Sequence, residues 1–255
     1  MPSIALQRGI IYGPILSRRL GRSLGINLMP VDCKVCSFDC VYCQYGCTDI
    51  LTQSPSHHLL PAVTDVRTAL VKALRKPRTI DTLTFSGNGE STLHPNFLEI
   101  VRAVKALRDV LRPSAKLAVL TNSSTINQEE IQIALDMVDA PMMKLDAGDP
   151  QTFIKINRPV SGIEFFDIIK GMKSVSHLML QTMFVDGDIS NTRGEAYQAW
   201  VNLVGELQPS LVHIYSIERP TAELGFREVE PKKLHKIAED LQKKFGIKIE
   251  AFYRS

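Results

Sequence analysis

The sequence predicts an α/β protein, a partial (β/α)6-type barrel with a parallel sheet, a short N-terminal arm and an extra C-terminal strand. From residue 61 onward, short apolar runs alternate with longer segments of helical period. Successive runs from residue 80 begin 25 to 36 residues apart, the spacing of βα units with right-handed crossovers. Six or seven such units are fewer than the eight of a complete barrel, so a partial barrel is expected.

The predicted strands are runs rich in Leu, Ile, Val and Met, the composition of parallel strands that are covered on both faces. They lie at 24–29, 80–85, 116–121, 141–146, 177–184, 211–217 and 247–252. Polar residues follow several of these runs. Because ligands of α/β folds bind at the carboxyl ends of the strands, those residues are candidates for the functional site.

The predicted helices carry their apolar residues on one stripe, as helices that pack on a sheet do. They lie at 65–76, 95–112, 165–172, 193–207 and 231–245. Pro231 suits the first turn of the last helix, and Gly246 suits its C-cap.

The chain is predicted to form one domain, since no Ser/Gly-rich linker or block of charge divides its 255 residues. We divide it into an N-terminal arm (1–23), core βα repeats (24–217) and a C-terminal helix and strand (218–255). The net charge of +3 is too mild to indicate nucleic acid by itself. No targeting segment or apolar run of membrane-spanning length is recognised, so a cytoplasmic location without membrane attachment is expected.

All five cysteines lie within "CKVCSFDCVYCQYGC", residues 33–47. Their crowding and odd number favour metal binding over a disulfide framework. Two CxxC pairs, Cys33/Cys36 and Cys40/Cys43, would supply four thiolates for zinc, but the pairs of such sites are usually farther apart. The ferredoxin spacing, C-x2-C-x2-C-x3-C-P, is absent.

The remaining pattern is C-x3-C-x2-C, formed by Cys36, Cys40 and Cys43, with the aromatic Tyr42 before the last cysteine. This pattern resembles the signature of the radical S-adenosylmethionine (radical SAM) superfamily. The resemblance implies one [4Fe–4S] cluster whose three cysteine-bound irons leave the fourth open to S-adenosylmethionine, with Tyr42 beside the cofactor. Cys33 and Cys47 are then interpreted as small apolar or incidental loop thiols rather than as a further ligand.

The segment "SGNGES" (86–91) ends the strand after the cysteines, with two glycines and an acid. Glycine lets the backbone approach a ligand closely, and a carboxylate can bind an ammonium group. The segment resembles the GGE element of the superfamily, which implies that Gly87, Gly89 and Glu90 bind the methionine amino group, with Asn88 inserted. The alternative for Glu90 is a charge at a helix N-terminus.

The next two strands end in further polar residues. Asn122 in "VLTNSS" is a candidate for hydrogen bonds to the cofactor, and helix capping is the alternative. Lys144 and Asp146 share a face at a spacing of two. The resemblance implies that they contact the ribose or the carboxylate of S-adenosylmethionine; an outward lysine and a capping aspartate are the alternative.

Arg18, Arg19 and Arg22 lie within residues 1–31, which contain no acidic residue. Arg158 lies after a predicted strand end and could face the substrate, with a structural role as the alternative. Guanidinium groups bind phosphate or carboxylate, so these four are substrate candidates. For the three arginines of the arm, a solvated basic segment or an ion-paired lid is the alternative.

Three segments, 13–30, 153–159 and 181–188, resemble the wyosine-type tRNA-modification group and its small iron–sulfur oxidoreductase relatives. The superfamily resemblance implies reductive cleavage of S-adenosylmethionine to a 5′-deoxyadenosyl radical that abstracts hydrogen from a substrate. A tRNA base or another phosphate-bearing substrate is expected, with reduced flavodoxin or ferredoxin as electron donor. An activating enzyme that acts on a protein glycine is the first alternative. A metal-binding or electron-transfer module without catalysis is the second.

Overall fold

The computed structural model describes residues 4–219 and 221–253. The strands are β1 (Ile11–Ser17), β2 (Gly21–Ile26), β3 (Val35–Cys36), β4 (Ile50–Leu51), β5 (Thr82–Phe85), β6 (Lys116–Thr121), β7 (Ala140–Lys144), β8 (Met179–Phe184), β9 (Asp186–Gly187), β10 (Leu211–Ser216), β11 (Phe226–Arg227) and β12 (Ile249–Phe252). The helices are α1 (Val63–Leu74), α2 (Phe97–Leu111), α3 (Glu129–Asp136), α4 (Pro150–Asn157), α5 (Phe165–Lys173), α6 (Gly194–Leu207) and α7 (Pro231–Phe245). None of the helices in these ranges is both long and apolar enough to span a membrane.

The chain forms two compact units that divide within β7. The N-terminal unit comprises Leu6–Ser37 and Thr48–Met142, and the C-terminal unit comprises Met1–Ala5, Phe38–Cys47 and Met143–Ser255. The cysteine segment contributes to both, since Cys33 and Cys36 belong to the N-terminal unit and the other three cysteines to the C-terminal unit.

In the N-terminal unit the strand order is β1-β2-β5-β6, followed by β7. The β2–β5 and β5–β6 pairs are parallel, whereas β1 runs antiparallel to β2. Its core includes Phe85 of β5 and Phe97 of α2, whose ring centroids lie 5.4 Å apart. The β5–α2 connection therefore carries the residues between them, including Glu90, across the carboxyl end of the sheet.

In the C-terminal unit the order is β7-β8-β10-β12, with β8, β10 and β12 parallel. Phe184 of β8 packs against Trp200 of α6 at 4.8 Å between ring centroids. β12 is the predicted extra C-terminal strand. α7 begins at Pro231 and ends at Phe245, and Gly246 follows as its C-cap with a φ of 71°, as predicted.

The elements differ from the prediction at several places, and the two-residue strands β3, β4, β9 and β11 were not predicted. The segment predicted as an arm contains β1 and the start of β2. The strand predicted at 24–29 ends at Ile26, because the Asn27 side chain bonds to both the N–H and the carbonyl of Met29 and turns the chain there. α3 and α4 were not predicted as helices. α4 begins where the Asp149 carboxylate accepts a hydrogen bond from the Thr152 N–H at 2.8 Å.

Candidate active site

The cysteine segment is held by backbone hydrogen bonds in both units. In the N-terminal unit the Cys36 carbonyl accepts from the Thr52 N–H at 2.9 Å. In the C-terminal unit the Cys40 carbonyl accepts from the Cys43 N–H at 3.0 Å, and Val41 donates to the Ile156 carbonyl. None of the five cysteines forms a disulfide bond; Cys47 is exposed and the other four are partly buried.

Glycine at position 89 lets the loop after β5 lie directly on β3. The Val35 N–H donates to the Asn88 carbonyl at 3.0 Å, and the Glu90 N–H donates to the Val35 carbonyl at 3.2 Å. Gly89 has φ 149° and Gly87 has φ 145°, values that glycine adopts readily and other residues rarely do. The predicted G-N-G-E segment is thus joined to the residue that precedes Cys36.

The Glu90 carboxylate is buried and held by neutral donors. Its Oε1 accepts from the N–H and hydroxyl of Thr92 at 3.1 and 2.8 Å, and its Oε2 accepts from the Asn122 N–H at 2.6 Å. No Lys, Arg or His side chain in the described ranges forms an ion pair with it. Burial raises the pKa of Glu90, and the hydrogen bonds from Asn122 and Thr92 oppose that shift. The N-terminal unit therefore holds a buried acid without a cationic partner.

Asn122 lies between this acid and Cys36. Its backbone N–H binds Glu90, while its Nδ2 donates to the Ser37 hydroxyl at 2.8 Å and to the Cys36 sulfur at 3.7 Å. Its Oδ1 accepts from the Ser124 N–H at 2.9 Å. The side chain thus faces the cysteine strand and also stabilises the turn that follows β6.

Asn88 anchors the N-terminal segment. It is the residue inserted between the two glycines of the GGE-like segment. Its Nδ2 donates to the carbonyls of Gln7 and Pro30 at 2.9 and 2.8 Å, and its Oδ1 accepts from the Gln7 N–H at 2.7 Å. The residue is fully buried. Its side chain therefore stabilises the loop, a structural role that differs from the cofactor binding predicted for Gly87, Gly89 and Glu90.

Asp146 organises the polar side chains of the C-terminal unit. Its Oδ1 accepts from the Met183 N–H at 2.8 Å, and its Oδ2 accepts from Asn157 Nδ2 at 2.8 Å and from the Tyr42 hydroxyl. Burial, followed by the charge of Asp146, raises the pKa of Tyr42 well above its ordinary value. Two residues predicted for the cofactor site, Tyr42 and Asp146, are therefore in direct contact.

Lys144 completes this cluster with two tyrosines. Its Nζ donates to the Tyr215 hydroxyl at 3.0 Å, lies 3.8 Å from Asp146 Oδ1, and stands 5.1 and 5.4 Å from the ring centroids of Tyr42 and Tyr215. Burial acts to lower the pKa of Lys144, but Asp146 and Tyr215 outweigh it and hold the pKa above its ordinary value. The ammonium group is therefore charged at neutral pH.

Asn157, at the last position of α4, joins Asp146 to the cysteine segment. Its Nδ2 lies 3.5 Å from the Cys40 sulfur and 3.3 Å from the Tyr42 hydroxyl. Burial raises the pKa of Cys40 to about 11; Asp146 acts in the same direction and the Asn157 hydrogen bond opposes both. Sequence reasoning missed Asn157 and Tyr215. The only local signal was their position: Asn157 precedes an arginine–proline pair, and Tyr215 lies near the end of a predicted strand.

The four arginines predicted for substrate binding are placed differently from one another. Arg18 and Arg19 lie in the turn between β1 and β2, with Arg18 exposed. Arg22 binds Asp81 through Nε and Nη2 at 2.9 and 2.8 Å. In the C-terminal unit, Arg158 binds both carboxylate oxygens of Glu223. Arg22 and Arg158 thus each have a carboxylate partner.

Comparison with known proteins identifies the chain's family. Residues 32–192 match the family model of the radical SAM superfamily. The chain belongs to the radical SAM superfamily. The matched range includes the cysteine segment, the Gly87–Glu90 loop and the Lys144–Asp146 strand end, and the predicted membership of the superfamily is confirmed. Superfamily members are iron–sulfur enzymes that use a [4Fe–4S] cluster and S-adenosylmethionine, which confirms the predicted cofactors at the level of the family.

Two relatives of this radical SAM chain are UPF0026 proteins. The UPF0026 protein MJ1312 of Methanocaldococcus jannaschii is 34% identical over 239 residues, which cover 91% of this chain and 70% of that protein. The UPF0026 protein slr1464 of Synechocystis is 32% identical over 216 residues, which cover 82% and 76%. A GTPase Obg of Brachyspira hyodysenteriae is 26% identical over 94% of this chain, and the chain spans only 34% of its length.

Solved radical SAM structures share the fold. A radical SAM methyltransferase from Sphaerobacter thermophilus superposes with a TM-score of 0.64 at 16% identity, covering 91% of this chain and 66% of that one. Streptococcus suis SuiB, solved with S-adenosylmethionine, also gives 0.64, at 13% identity, covering 90% and 50%. The predicted fold class is confirmed by this likeness. The chain spans between a half and two thirds of these two proteins.

The residues present suit the cofactors of the radical SAM superfamily. Thiols outside disulfides are the ligands that iron–sulfur clusters require. The buried Glu90 of the N-terminal unit suits an ammonium group, and the charged Lys144 of the C-terminal unit suits a carboxylate. Within the described ranges, no group of three or more His, Cys, Asp or Glu side chains is arranged to hold a single metal ion.

Proposed function

We propose that the chain is a radical SAM enzyme in which Cys36, Cys40 and Cys43 bind one [4Fe–4S] cluster and Glu90 binds the amino group of S-adenosylmethionine. The observation that carries the proposal is the buried Glu90 carboxylate, which accepts three hydrogen bonds from neutral groups and has no ion-pair partner in the described ranges. A buried carboxylate without a counter-charge destabilises the fold, so its position is best explained by a cationic ligand.

Cys36, Cys40 and Cys43 would hold the cluster, which when bound and reduced would supply the electron for reductive cleavage of S-adenosylmethionine and so the means of hydrogen abstraction from a substrate. The chain's own contribution is binding and orientation. Glu90 is held rigidly by Thr92 and Asn122, so it is pre-organised for the ammonium group. Gly89 has no side chain, which brings the backbone that carries Glu90 onto the cysteine strand.

In the C-terminal unit we assign Lys144 and Asp146 to the same cofactor. The charged Lys144 ammonium group donates to the Tyr215 hydroxyl and lies 3.8 Å from Asp146 Oδ1, so it has donor capacity left for the methionine carboxylate. The carboxylate of Asp146 is fully occupied by Tyr42, Asn157 and Met183. Its role is therefore to position Tyr42 and Lys144 rather than to contact the cofactor through a free oxygen.

For the substrate we propose a phosphate-bearing molecule, with RNA as the first to test. Support comes from Arg18 and Arg19 in the β1–β2 turn, on a segment without acidic residues. RNA affinity is expected to fall steeply with salt, and an Arg18→Ala/Arg19→Ala double substitution should flatten that dependence. Binding that is absent or independent of salt would remove RNA and leave a protein glycine as the next substrate to test. Reduced flavodoxin or ferredoxin is the proposed electron donor.

The cofactor assignment is tested by anaerobic reconstitution with iron and sulfide, reduction with dithionite and addition of S-adenosylmethionine. We expect one cluster per chain by iron analysis and production of 5′-deoxyadenosine. Cys40→Ala should lose both, whereas Cys47→Ala, at the exposed cysteine, should retain both. Zinc in place of iron, or a cluster that does not react with the cofactor, would contradict the proposal and favour a metal-binding or electron-transfer module.

The role of Glu90 is tested separately by the affinity for S-adenosylmethionine, measured by equilibrium dialysis on the reconstituted protein. Glu90→Gln should weaken binding about tenfold or more, because a charge-assisted interaction is lost. Glu99→Gln, at an exposed position of α2, is the matched control and should bind as the wild type does. Equal affinities of Glu90→Gln and the wild type would exclude Glu90 as the ammonium site.

A further inference from the structure

We infer that Asn122 and Asn157 set the reduction potential of the iron–sulfur cluster by donating N–H···S hydrogen bonds to Cys36 and Cys40. This inference rests on the proposed function, since it takes those cysteines as cluster ligands. Asn122 Nδ2 lies 3.7 Å from the Cys36 sulfur, and Asn157 Nδ2 lies 3.5 Å from the Cys40 sulfur. Each contact lies within one compact unit.

The orientation of the Asn157 amide follows from its neighbours. The nitrogen faces Asp146 Oδ2 at 2.8 Å, and a carboxylate can only accept a hydrogen bond. A reversed amide would place two oxygen atoms against each other. The second N–H of the same nitrogen is then directed to the Cys40 sulfur and the Tyr42 hydroxyl. Since the side chain is almost fully buried, water does not replace this donor.

The Asn122 amide is oriented by Ser124, and its nitrogen likewise faces a cysteine sulfur. Its oxygen accepts from the backbone N–H of Ser124 at 2.9 Å, and a backbone N–H can only donate. The nitrogen is therefore the atom that faces the Cys36 sulfur and the Ser37 hydroxyl. Two asparagines on different elements, one after β6 and one at the end of α4, thus present an N–H group to two of the three motif cysteines.

A donor at sulfur favours the more negative state of the cluster. Reduction adds one electron, and much of the added charge is shared with the thiolate sulfurs. An N–H dipole that points at sulfur stabilises that charge, so hydrogen bonds to sulfur raise the reduction potential. Loss of one donor should therefore move the midpoint potential to a more negative value. A tenfold change in the reduction equilibrium corresponds to about 59 mV for a one-electron couple.

The test is a redox titration of the reconstituted protein without S-adenosylmethionine, followed by electron paramagnetic resonance. Asn157→Ala and Asn122→Ala are each expected to bind a full complement of iron and to have a more negative midpoint potential. The expected shift corresponds to a change of up to about tenfold in the reduction equilibrium of the cluster. The double variant should shift further than either single one. If one variant fails to fold, the other still tests the inference, because the two amides lie on different elements.

The controls are buried asparagines of the same units that have no recorded contact with sulfur. Asn191 donates to the carbonyls of Asp146 and Met183, and Asn27 donates to the carbonyl of Met29. Asn191→Ala and Asn27→Ala should keep the wild-type potential. Wild-type protein without a cluster would refute the proposed function itself. A full cluster whose potential is unchanged in both test variants, or shifted equally in the controls, would overturn the inference alone.

Discussion

The carbonyl oxygen of Val35 lies 1.6 Å from the point that a Cβ atom on Gly89 would occupy. The two residues form a bridge between the cysteine strand and the loop that carries Glu90. Any side chain at position 89 would displace this carbonyl, and Cys36 is the next residue along the chain. The glycine therefore couples the position of the buried acid to that of a motif cysteine.

Gly89→Ala is expected to destabilise the protein strongly, because the overlap is with backbone atoms that cannot rotate away. Gly194→Ala is the matched control, since Gly194 also has a positive φ but has open space where its Cβ would lie. The control should cost only about 1 kcal/mol for the backbone strain. Urea unfolding measures both variants, and equal losses would contradict the close contact.

Asn88→Ala should remove three hydrogen bonds to Gln7 and Pro30 and leave their buried groups unpaired. The free energy of unfolding is expected to fall by about 2–4 kcal/mol, given a cost of about 1–3 kcal/mol for each buried group left unpaired and some rescue by water. Asn96→Ala, at an exposed position whose side chain makes no cap hydrogen bond, should have little effect. A similar small loss at both positions would show that Asn88 does not anchor the N-terminal segment.

Asp81 provides a prediction about pH. Its pKa is lowered from 3.8 to about 2, chiefly by the side-chain hydrogen bond from Arg22. A carboxyl group with a depressed pKa in the folded state stabilises the fold above its unfolded value and loses that contribution as the pH falls towards 2. Asp81→Asn should therefore be less stable than the wild type at pH 7 and equal to it near pH 2.

The Arg22 pair is solvent-exposed, so the difference at pH 7 should be small and should shrink further in high salt. Thermal denaturation at pH 7, 4 and 2 measures it, and a cycle with Arg22→Ala isolates the pair. If the advantage of the wild type persisted at pH 2, the stabilisation would not come from this carboxylate.

The Arg158–Glu223 pair ties the segment after β10 to the end of α4, and the Glu223 N–H also donates to the Val41 carbonyl at 3.2 Å. Arg158→Lys keeps the charge but cannot bind both carboxylate oxygens. Faster hydrogen exchange of residues 217–228 is expected in this variant, with other amides of the C-terminal unit unchanged. An unchanged exchange pattern would show that the pair does not hold the segment.

The same pair tests the prediction that Arg158 binds substrate. Glu223→Gln removes the competing charge, so a phosphate-binding Arg158 should gain affinity for RNA in this variant. If Arg158 acts only to hold the segment, RNA affinity should be unchanged while hydrogen exchange increases. The two readouts therefore separate a substrate contact from a structural ion pair.

Much of the fold was accessible from patterns that are local in the chain. β6 and α7 have the predicted bounds. The apolar pattern of each element, and the proline and glycine that delimit α7, are visible in the local sequence. α3 and α4 were missed because eight residues give too few turns for a clear period. The end of β2 at Ile26 depends on the turn made by Asn27, whose two bonds to Met29 override the apolar run that continues through Leu28.

The cofactor class was also readable from the chain, because the spacing of Cys36, Cys40 and Cys43 and the Gly89–Glu90 pair are short-range features. The partners of those residues were not. Glu90 meets Asn122 across 32 positions, Cys36 meets Asn122 across 86, and Cys40 meets Asn157 across 117. A hydrogen bond needs its donor and acceptor in direct contact, and which distant residues come that close depends on how the strands are ordered in the sheet. The residues that indicate the cofactor class are therefore close together in the sequence, whereas their hydrogen-bond donors are brought to them only by the tertiary structure.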